Sequence, residues 1–442
     1  MLTDTHPGQI IRGLRLQRRM PQAELTGPCL TLGQLSLIEA GVAGPSPEVL
    51  SHLAGRLACR RDVLTRGLHP DVASRVRGTL DLAARALAEG RLGEAHRRYQ
   101  ALVDNPALGS RIDLWSQAET GLALSQEAAG RLRPAAERLA YLLAVTSPLD
   151  TPLVGADFRQ AREVDARIGL SVTLCRLLRE AGDLGRAVEV GERALDRELP
   201  GGWSDRLVEL GSTLLSAYLE RDELTRAGAL SSELLQAAGE LGTPRAVAAA
   251  SWNASTLATM TGSFERAGRL GRQAGAALSL VGDRRATGRL RARLATNLLM
   301  ARPEEFVRAR ALLMQAHADL VAGAAGRVDQ AYCQLSLART TLLAGQAHAA
   351  LRQVAALIDR YPDAGNLVAD AFTLQARAHE RLGRPAAAAC ALRRAGELLE
   401  RMPAPGRASR AWTASAEASA EAGDLTASAG AYRRALAASG LC

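Results

Sequence analysis

Polar side chains recur at fixed offsets from a repeated turn in this 442-residue sequence, on helices otherwise built of Ala and Leu. Trp252, Asn253 and Thr256 stand 10, 9 and 6 residues before Gly262. Arg289, Arg293 and Thr296 stand 13, 9 and 6 residues before Arg302, with Asn297 beside Thr296. Tyr332, Ser336 and Arg339 hold the same three offsets before Gly345. Arg176 and Ser216 stand 6 residues before Gly182 and Asp222. An Asn side chain donates and accepts at once, so it matches a peptide backbone. Trp252 offers a flat apolar contact, and the arginines suit a carboxylate. The alternative is that Trp252 is core and Asn253 solvated surface. These are groups for binding rather than catalysis. HExxH, GxSxG and kinase-type motifs are missing, and no glycine-rich phosphate loop follows a strand. His317, His348 and His379 are isolated and read as surface residues. The six cysteines form no CxxC and no His/Cys spacing that suits zinc. They read as small buried residues of a reducing compartment. We therefore expect a non-enzyme, with no cofactor and no metal.

The turn that sets the phase is Ala181-Gly182-Asp183-Leu184-Gly185-Arg186-Ala187. Variants are EGRLGEA at 89–95, AGRLRPA at 129–135, RDELTRA at 221–227, TGSFERA at 261–267, AGQAHAA at 344–350, LGRPAAA at 382–388 and AGDLTAS at 422–428. Successive gaps between Gly90, Gly130, Gly182, Asp222, Gly262, Gly345, Gly383 and Gly423 are 40, 52, 40, 40, 83, 38 and 40 residues. The gap of 83 spans two units, punctuated by Arg302-Pro303-Glu304-Glu305. Each unit reads helix, tight turn, helix: the glycine takes the left-handed conformation that ends a helix, and a residue such as Asp183 caps the next. Five residues after the glycine an alanine (serine at 428) lets the two helices approach closely. Such a period means a solenoid. The punctuation, with Tyr99 and Tyr432 after the turn, Pro362 closing a unit and Trp412, resembles the tetratricopeptide repeat over roughly residues 80–442. The spacing exceeds that family's usual 34 residues, which longer helices explain. The resemblance implies that the first helix of each pair lines a concave groove, so that the polar residues above face inward.

Residues 1–66 differ. Ile10, Ile11, Leu14 and Leu16 mark a first helix, and Met20–Leu25 opens a second. Thr31 is a candidate N-cap for Leu32–Glu39, which Gly41 ends. Pro45–Glu48 starts a fourth helix and Asp62–Leu64 a fifth. Leu14-Arg15, Gln22-Ala23-Glu24-Leu25, Gln34-Leu35-Ser36-Leu37-Ile38-Glu39-Ala40-Gly41, Pro45-Ser46, Leu50, Leu53 and Ala54, in that order, resemble the Cro/C1-type (XRE) helix-turn-helix domain. That family presents a recognition helix, here beginning at Leu32, to the DNA major groove. The implied DNA-contacting set is Arg18, Arg19, Gln22, Thr31, Leu32, Gln34 and Ser36. Gln34 either bonds an adenine bidentately or is solvated surface. Gln22 is a phosphate contact or a helix cap. Arg15 and Glu39 pair with each other or meet DNA. The segment between Leu25 and Ile38 is one residue short for the family, and Gly27-Pro28 sits inside it.

All 55 basic residues are Arg, and the net charge is +9. Codon bias explains this; it permits nucleic-acid binding without establishing it. No run of 18 apolar residues or signal-peptide core occurs, so a cytoplasmic protein without a membrane span is expected. The expected fold class is all-α: a small five-helix DNA-binding domain (1–66), a hinge (67–80) carrying Gly67 and Pro70, and an α-solenoid of tetratricopeptide-like helix pairs (81–442) with a period of about 40 residues. An irregular insert at 147–165 is either a loop over the groove or a solvated connector. The expected function is a bacterial transcription regulator that binds double-stranded DNA as a homodimer and takes a signalling peptide or small-molecule effector in the solenoid. The alternative is an interaction scaffold with a vestigial DNA-binding domain.

Overall fold

The structure, a computed structural model, describes residues 6–66, 69–146, 158–282, 284–323, 325–362, 364–402 and 404–440. It is all-helical, with no strand among the described residues. The first helices are α1 (Pro7–Gln17), α2 (Leu32–Glu39), α3 (Pro47–Arg56) and α4 (Arg61–Arg66). The helix expected between α1 and α2 is a single 3-10 turn, Gln22–Leu25. It stops because Thr26 is extended and Gly27 pairs its backbone with Leu30 around Pro28, which has no N–H to continue a helix.

The repeats follow as α5 (Pro70–Ala88), α6 (Leu92–Val103), α7 (Ile112–Ala128), α8 (Leu132–Thr146), α9 (Phe158–Ala181), α10 (Leu184–Glu198), α11 (Asp205–Arg221) and α12 (Leu224–Leu241). Next come α13 (Pro244–Met260), α14 (Phe264–Val281), α15 (Arg284–Ala301), α16 (Phe306–Ala322) and α17 (Arg327–Leu343). The last are α18 (Ala347–Arg360), α19 (Gly365–Arg381), α20 (Pro385–Arg401), α21 (Pro405–Glu421) and α22 (Leu425–Ala438). Every phase-marking glycine has positive φ, and Asp222, in the slot without one, sits at φ 66°. That conformation costs an ordinary residue about 1–2 kcal/mol; here Arg410 Nη1 donates to Asp222 Oδ2 at 2.6 Å. Ala95, Ala135, Ala187, Ala227, Ala267, Ala350, Ala388 and Ser428 are all buried, as close helix packing requires. At Arg302, where no glycine is available, the chain turns through a 3-10 turn at Pro303–Glu305 instead. The insert expected at 147–165 is helical from Phe158, because α9 starts there; residues 147–157 lie outside the described residues.

The chain divides into two compact units. The first holds residues 1–126 and 137–148. Its N-terminal core is Ile10, Ile11, Leu14, Leu25, Leu35, Ile38 and Leu53. Helix α1 also docks on the first repeats. Gly13 lies against Gly109, where an added Cβ would stand 2.1 Å from the Gly109 carbonyl oxygen. Gln17 Nε2 donates to the carbonyls of Val103 and Asn105 at 3.2 and 2.7 Å, the first an acceptor left free by the end of α6. Arg12 donates to Val145 O at 3.2 Å, and Tyr141 donates from its hydroxyl to Leu16 O at 2.6 Å. The segment read as a hinge at 67–80 is helical from Pro70 onward, in one continuous 19-residue helix. Its Gly78 sits mid-helix, where a non-hinging glycine costs about 1 kcal/mol at most.

The second unit holds residues 127–136 and 149–442. Its first helices of each pair, α9 through α19, pack side by side in order, and α9 then meets α19 while α11 meets α21. The superhelix thus returns on itself. Gly365, at the start of α19, permits that return: a Cβ there would stand 3.0 Å from the Ala181 carbonyl oxygen at the end of α9.

The docking in the first unit gives a stability prediction. Gly109→Ala places a Cβ 2.9 Å from Leu14 Cα. The overpacking should cost about 1–3 kcal/mol, read as a lower midpoint in denaturant unfolding. An unchanged midpoint would mean that α1 does not dock there in solution.

Candidate ligand-binding seam and DNA-facing helix

The polar residues of the second unit form a continuous seam on the inner face of the superhelix. At one end, Glu127 closes α7 and accepts from Arg176 at 2.6 and 3.0 Å and from Arg285 at 2.7 Å. Arg285 reaches on to Asp329 at 3.1 Å, and Arg289 holds Asp329 bidentately at 2.7 Å. Burial alone would raise the Glu127 carboxyl, but Arg176, Arg285 and Arg289 outweigh it and hold it well below the usual carboxylate range. Burial dominates at Glu180, whose carboxyl is raised despite Arg176.

Farther along, Arg179 donates to Glu220 at 2.8 Å. Asn366 Nδ2 donates to Arg179 O and to Glu220 Oε2, both at 2.7 Å. Arg407 donates to Asn366 Oδ1 at 2.9 Å and to Asp370 at 2.7 Å. Asn366 therefore joins α9 and α11 to α19 and α21. It was not among the expected ligand residues, nor were Glu127, Arg179, Glu220, Asp329, Asp370 and Arg407.

The expected residues divide by what their polar atoms already do. Asn253 is buried, and its amide is used within the protein. Nδ2 donates to Ser212 O and Oγ at 2.7 Å, and Oδ1 accepts from Ser216 Oγ at 3.0 Å. Thr256 is buried too, and Trp252 packs against the cluster of Ala248, Ala274, Leu278 and Leu290. Trp252 is thus half-buried at the edge of that cluster, and Asn253 pins α13 to α11. Arg176 and Arg289 are committed to carboxylates, and Thr296 to Ser336 at 3.1 Å. Arg293, Asn297, Tyr332 and Arg339 remain. The Asn297 Nδ2 and Arg339 Nε atoms are sealed from solvent without a partner, as is Arg179 Nε.

In the N-terminal domain, Arg15 binds Glu39 through Nε and Nη2, both at 2.7 Å. Gln22 donates to Glu39 at 2.9 Å and accepts from Ser36 Oγ at 3.1 Å. Thr31 caps α2, and Gln34 returns the bond: its Oε1 accepts from Thr31 N at 2.9 Å, a capping box. Gln34 is exposed, yet its acceptor is occupied, so a bidentate grip on adenine is closed to it in this conformation. Leu32 and Leu37 are half exposed on the same short helix. Arg18 Nη1 folds back on Leu14 O at 3.1 Å. Arg19 stacks its guanidinium 4.8 Å from the centre of the Tyr141 ring. The structure gathers Gln22, Thr31, Gln34 and Ser36 but pairs neither Arg18 nor Arg19 with them.

No family profile matches the chain, and no curated protein is similar to it in sequence. Among solved structures it is similar to a Rap protein complexed with competence and sporulation factor. The TM-score is 0.53 at 13% identity, covering 83% of this chain and 98% of that one. The apo quorum sensor NprR from B. thuringiensis gives 0.44 at 12% identity, over 83% and 99% of the two chains. PlcR from Bacillus thuringiensis, in complex with the peptide PapR7 and DNA, gives 0.36 at 12%, over 63% and 96%. The fold is that of a tetratricopeptide-like helical-repeat protein.

Glu127 gives the seam a pH signature. Glu127→Gln leaves Arg176 and Arg285 facing a neutral group and should cost about 3–5 kcal/mol near neutral pH. A depressed folded pKa means this contribution is complete above the unfolded value of 4.5 and fades only as pH falls toward the folded one. Unfolding of both proteins between pH 7 and pH 3 should show a gap that narrows on acidification. A gap that stays constant with pH would contradict the charge pairing.

Proposed function

We propose that this protein is a DNA-binding transcription regulator whose helical-repeat domain takes a peptide or small-molecule signal and mediates dimerisation. The observation that carries the reading is one chain holding two devices. One is a short capped helix, α2, with Leu32 and Leu37 exposed, in a domain of four helices and one 3-10 turn whose sequence has the Cro/C1-type pattern. The other is a solenoid whose inner face keeps buried donors without acceptors. The Rap protein that shares the repeat fold was solved with competence and sporulation factor. That supports a ligand in this solenoid as well.

DNA contact falls to α2 and its surroundings: Leu32 for a thymine methyl, the Gln34 amide for a base edge, Thr31, Ser36 and Gln22 toward phosphate, and Arg18 and Arg19 after release from Leu14 and Tyr141. Pairing of two copies would place two such helices on half-sites about 34–36 Å apart. Helix α22 exposes Leu425, Tyr432 and Leu436, an apolar stripe of the kind that marks a contact surface. It is the surface we assign to dimerisation.

A second reading has its own observation. The Gln22 side chain and the Gln34 acceptor are spent inside the domain, and the motif's first helix is one 3-10 turn. A scaffold that no longer binds DNA would look like this. A gel shift with the native upstream region separates the two. Gln34→Glu keeps the acceptor that Thr31 needs and removes the amide donor. Operator preference over random duplex should fall by about ten-fold, within the 1–3 kcal/mol of a base contact, without loss of thermal stability. No shift with wild-type protein at low salt would assign the scaffold reading, and a monomer by light scattering, free and on DNA, would rule out the dimer.

A further inference from the structure

The two ends of the inner seam differ in their charge balance. Around Glu127, three arginines (Arg176, Arg285, Arg289) face three carboxyls (Glu127, Glu180, Asp329), and the bonding is closed. Around Asp370, Arg179 and Arg407 pair with the two carboxylates Glu220 and Asp370, and two more arginines, Arg293 on α15 and Arg339 on α17, flank the Thr296–Ser336 bond that joins those helices and feel the same carboxylates. Four against two leaves a surplus of two positive charges. Both carboxylates there are already held, by Arg179 with Asn366 and by Arg407. Arg293 and Arg339 have no hydrogen-bond or ion-pair partner among the described residues, although both are half-buried.

The orphaned atoms at this end are both donors: Arg179 Nε and Arg339 Nε. Buried donors left unpaired cost free energy, and a native protein keeps them where something else supplies the acceptor. Burial also disfavours the charged state of Arg293, with Arg179 adding repulsion, and it does the same to Arg339, beside Arg377. Arg377 is exposed and stands at the rim of this end.

We infer that the Arg293–Arg339 end of the seam is an anion site, built for a ligand that presents two carboxylates to Arg293 and Arg339. Charge fixes the ligand class: an acidic peptide, through its side chains or C-terminus, or a small polycarboxylic acid. A neutral apolar peptide leaves the surplus uncompensated. This inference rests on the ligand-binding reading above and narrows it.

The test uses the full chain in calorimetry, with three probes. These are a hexapeptide pool rich in Asp and Glu with free C-termini, the matching Asn and Gln pool with amidated C-termini, and citrate. The acidic pool, citrate or both should bind at least about ten-fold tighter than the amide pool, the scale of a charge-assisted bidentate contact. Which of the two binds identifies the source of the carboxylates. Arg293→Gln and Arg339→Gln should each remove that preference. Because they delete charges whose burial outweighs the pull of Glu220 and Asp370 in the free protein, they should leave its melting temperature unchanged or raised. Equal binding of the amide pool would overturn the anion assignment while leaving a ligand-binding solenoid intact. Absence of binding by both acidic probes would overturn it, as would a fall in the free protein's melting temperature in both variants.

Discussion

Pairing of arginine with carboxylate inside the superhelix is the constraint on which the second unit depends. A row of first helices with Ala and Leu at its interfaces sets the local packing, but such packing leaves the pitch free to vary. Here Arg176 and Arg285 converge on Glu127, and Asn366 ties Arg179 and Glu220 to Arg407. These bonds connect residues far apart in the sequence. The Asn366 bonds are available only at a pitch that brings α19 back to α9 and α11, and the Arg285–Glu127 bond only where α15 approaches the end of α7. Buried charges tolerate no other arrangement cheaply, since a charge left without its partner costs several kcal/mol, about 3–5 when a buried pair is broken.

The local architecture was readable from residue types. Glycines at a spacing near 40 place the turns, and the alanines after them place the close contacts. Even Asp222, which has the wrong chemistry for the slot, holds the left-handed conformation that its neighbours' spacing demands. The expected inward positions stop one turn short of the seam's charged residues at each end. Asn366, Asp329 and Arg407 lie 16 or 17 residues before their turns, and Glu127, Arg179 and Glu220 lie 2 or 3 before theirs. Those positions continue the same stripe by steps of three and four. They become partners only because the superhelix closes, and closure depends on distances that periodicity does not carry. Asp370, 13 residues before Gly383, falls on an offset already in use and was within reach of the sequence.

At the other end of the chain, the separating factor was competition for hydrogen bonds. Thr31-Leu32-Gly33-Gln34 carries the spacing of a capping box, so the loss of the Gln34 acceptor was legible from four residues. The docking of α1 was not. It uses Gly13 against Gly109 and side chains that reach backbone carbonyls of α6 and α8, contacts with no residue-type signature. Their effect is to make the N-terminal domain continuous with the first repeats and to occupy Arg12, Gln17 and Arg19 away from α2. DNA recognition, if it draws on Arg19, therefore competes with the Tyr141 stack.

Closure of the superhelix by its own charges, before any ligand arrives, is the central physical claim, and a distance distribution tests it directly. Spin labels at exposed Thr225 on α12 and Glu417 on α21 bracket the place where Asp222 meets Arg410. Pulsed electron resonance on the ligand-free protein should give one narrow population at the separation found in the closed form. A broad distribution extending to longer separations, as an open solenoid would produce, would contradict it.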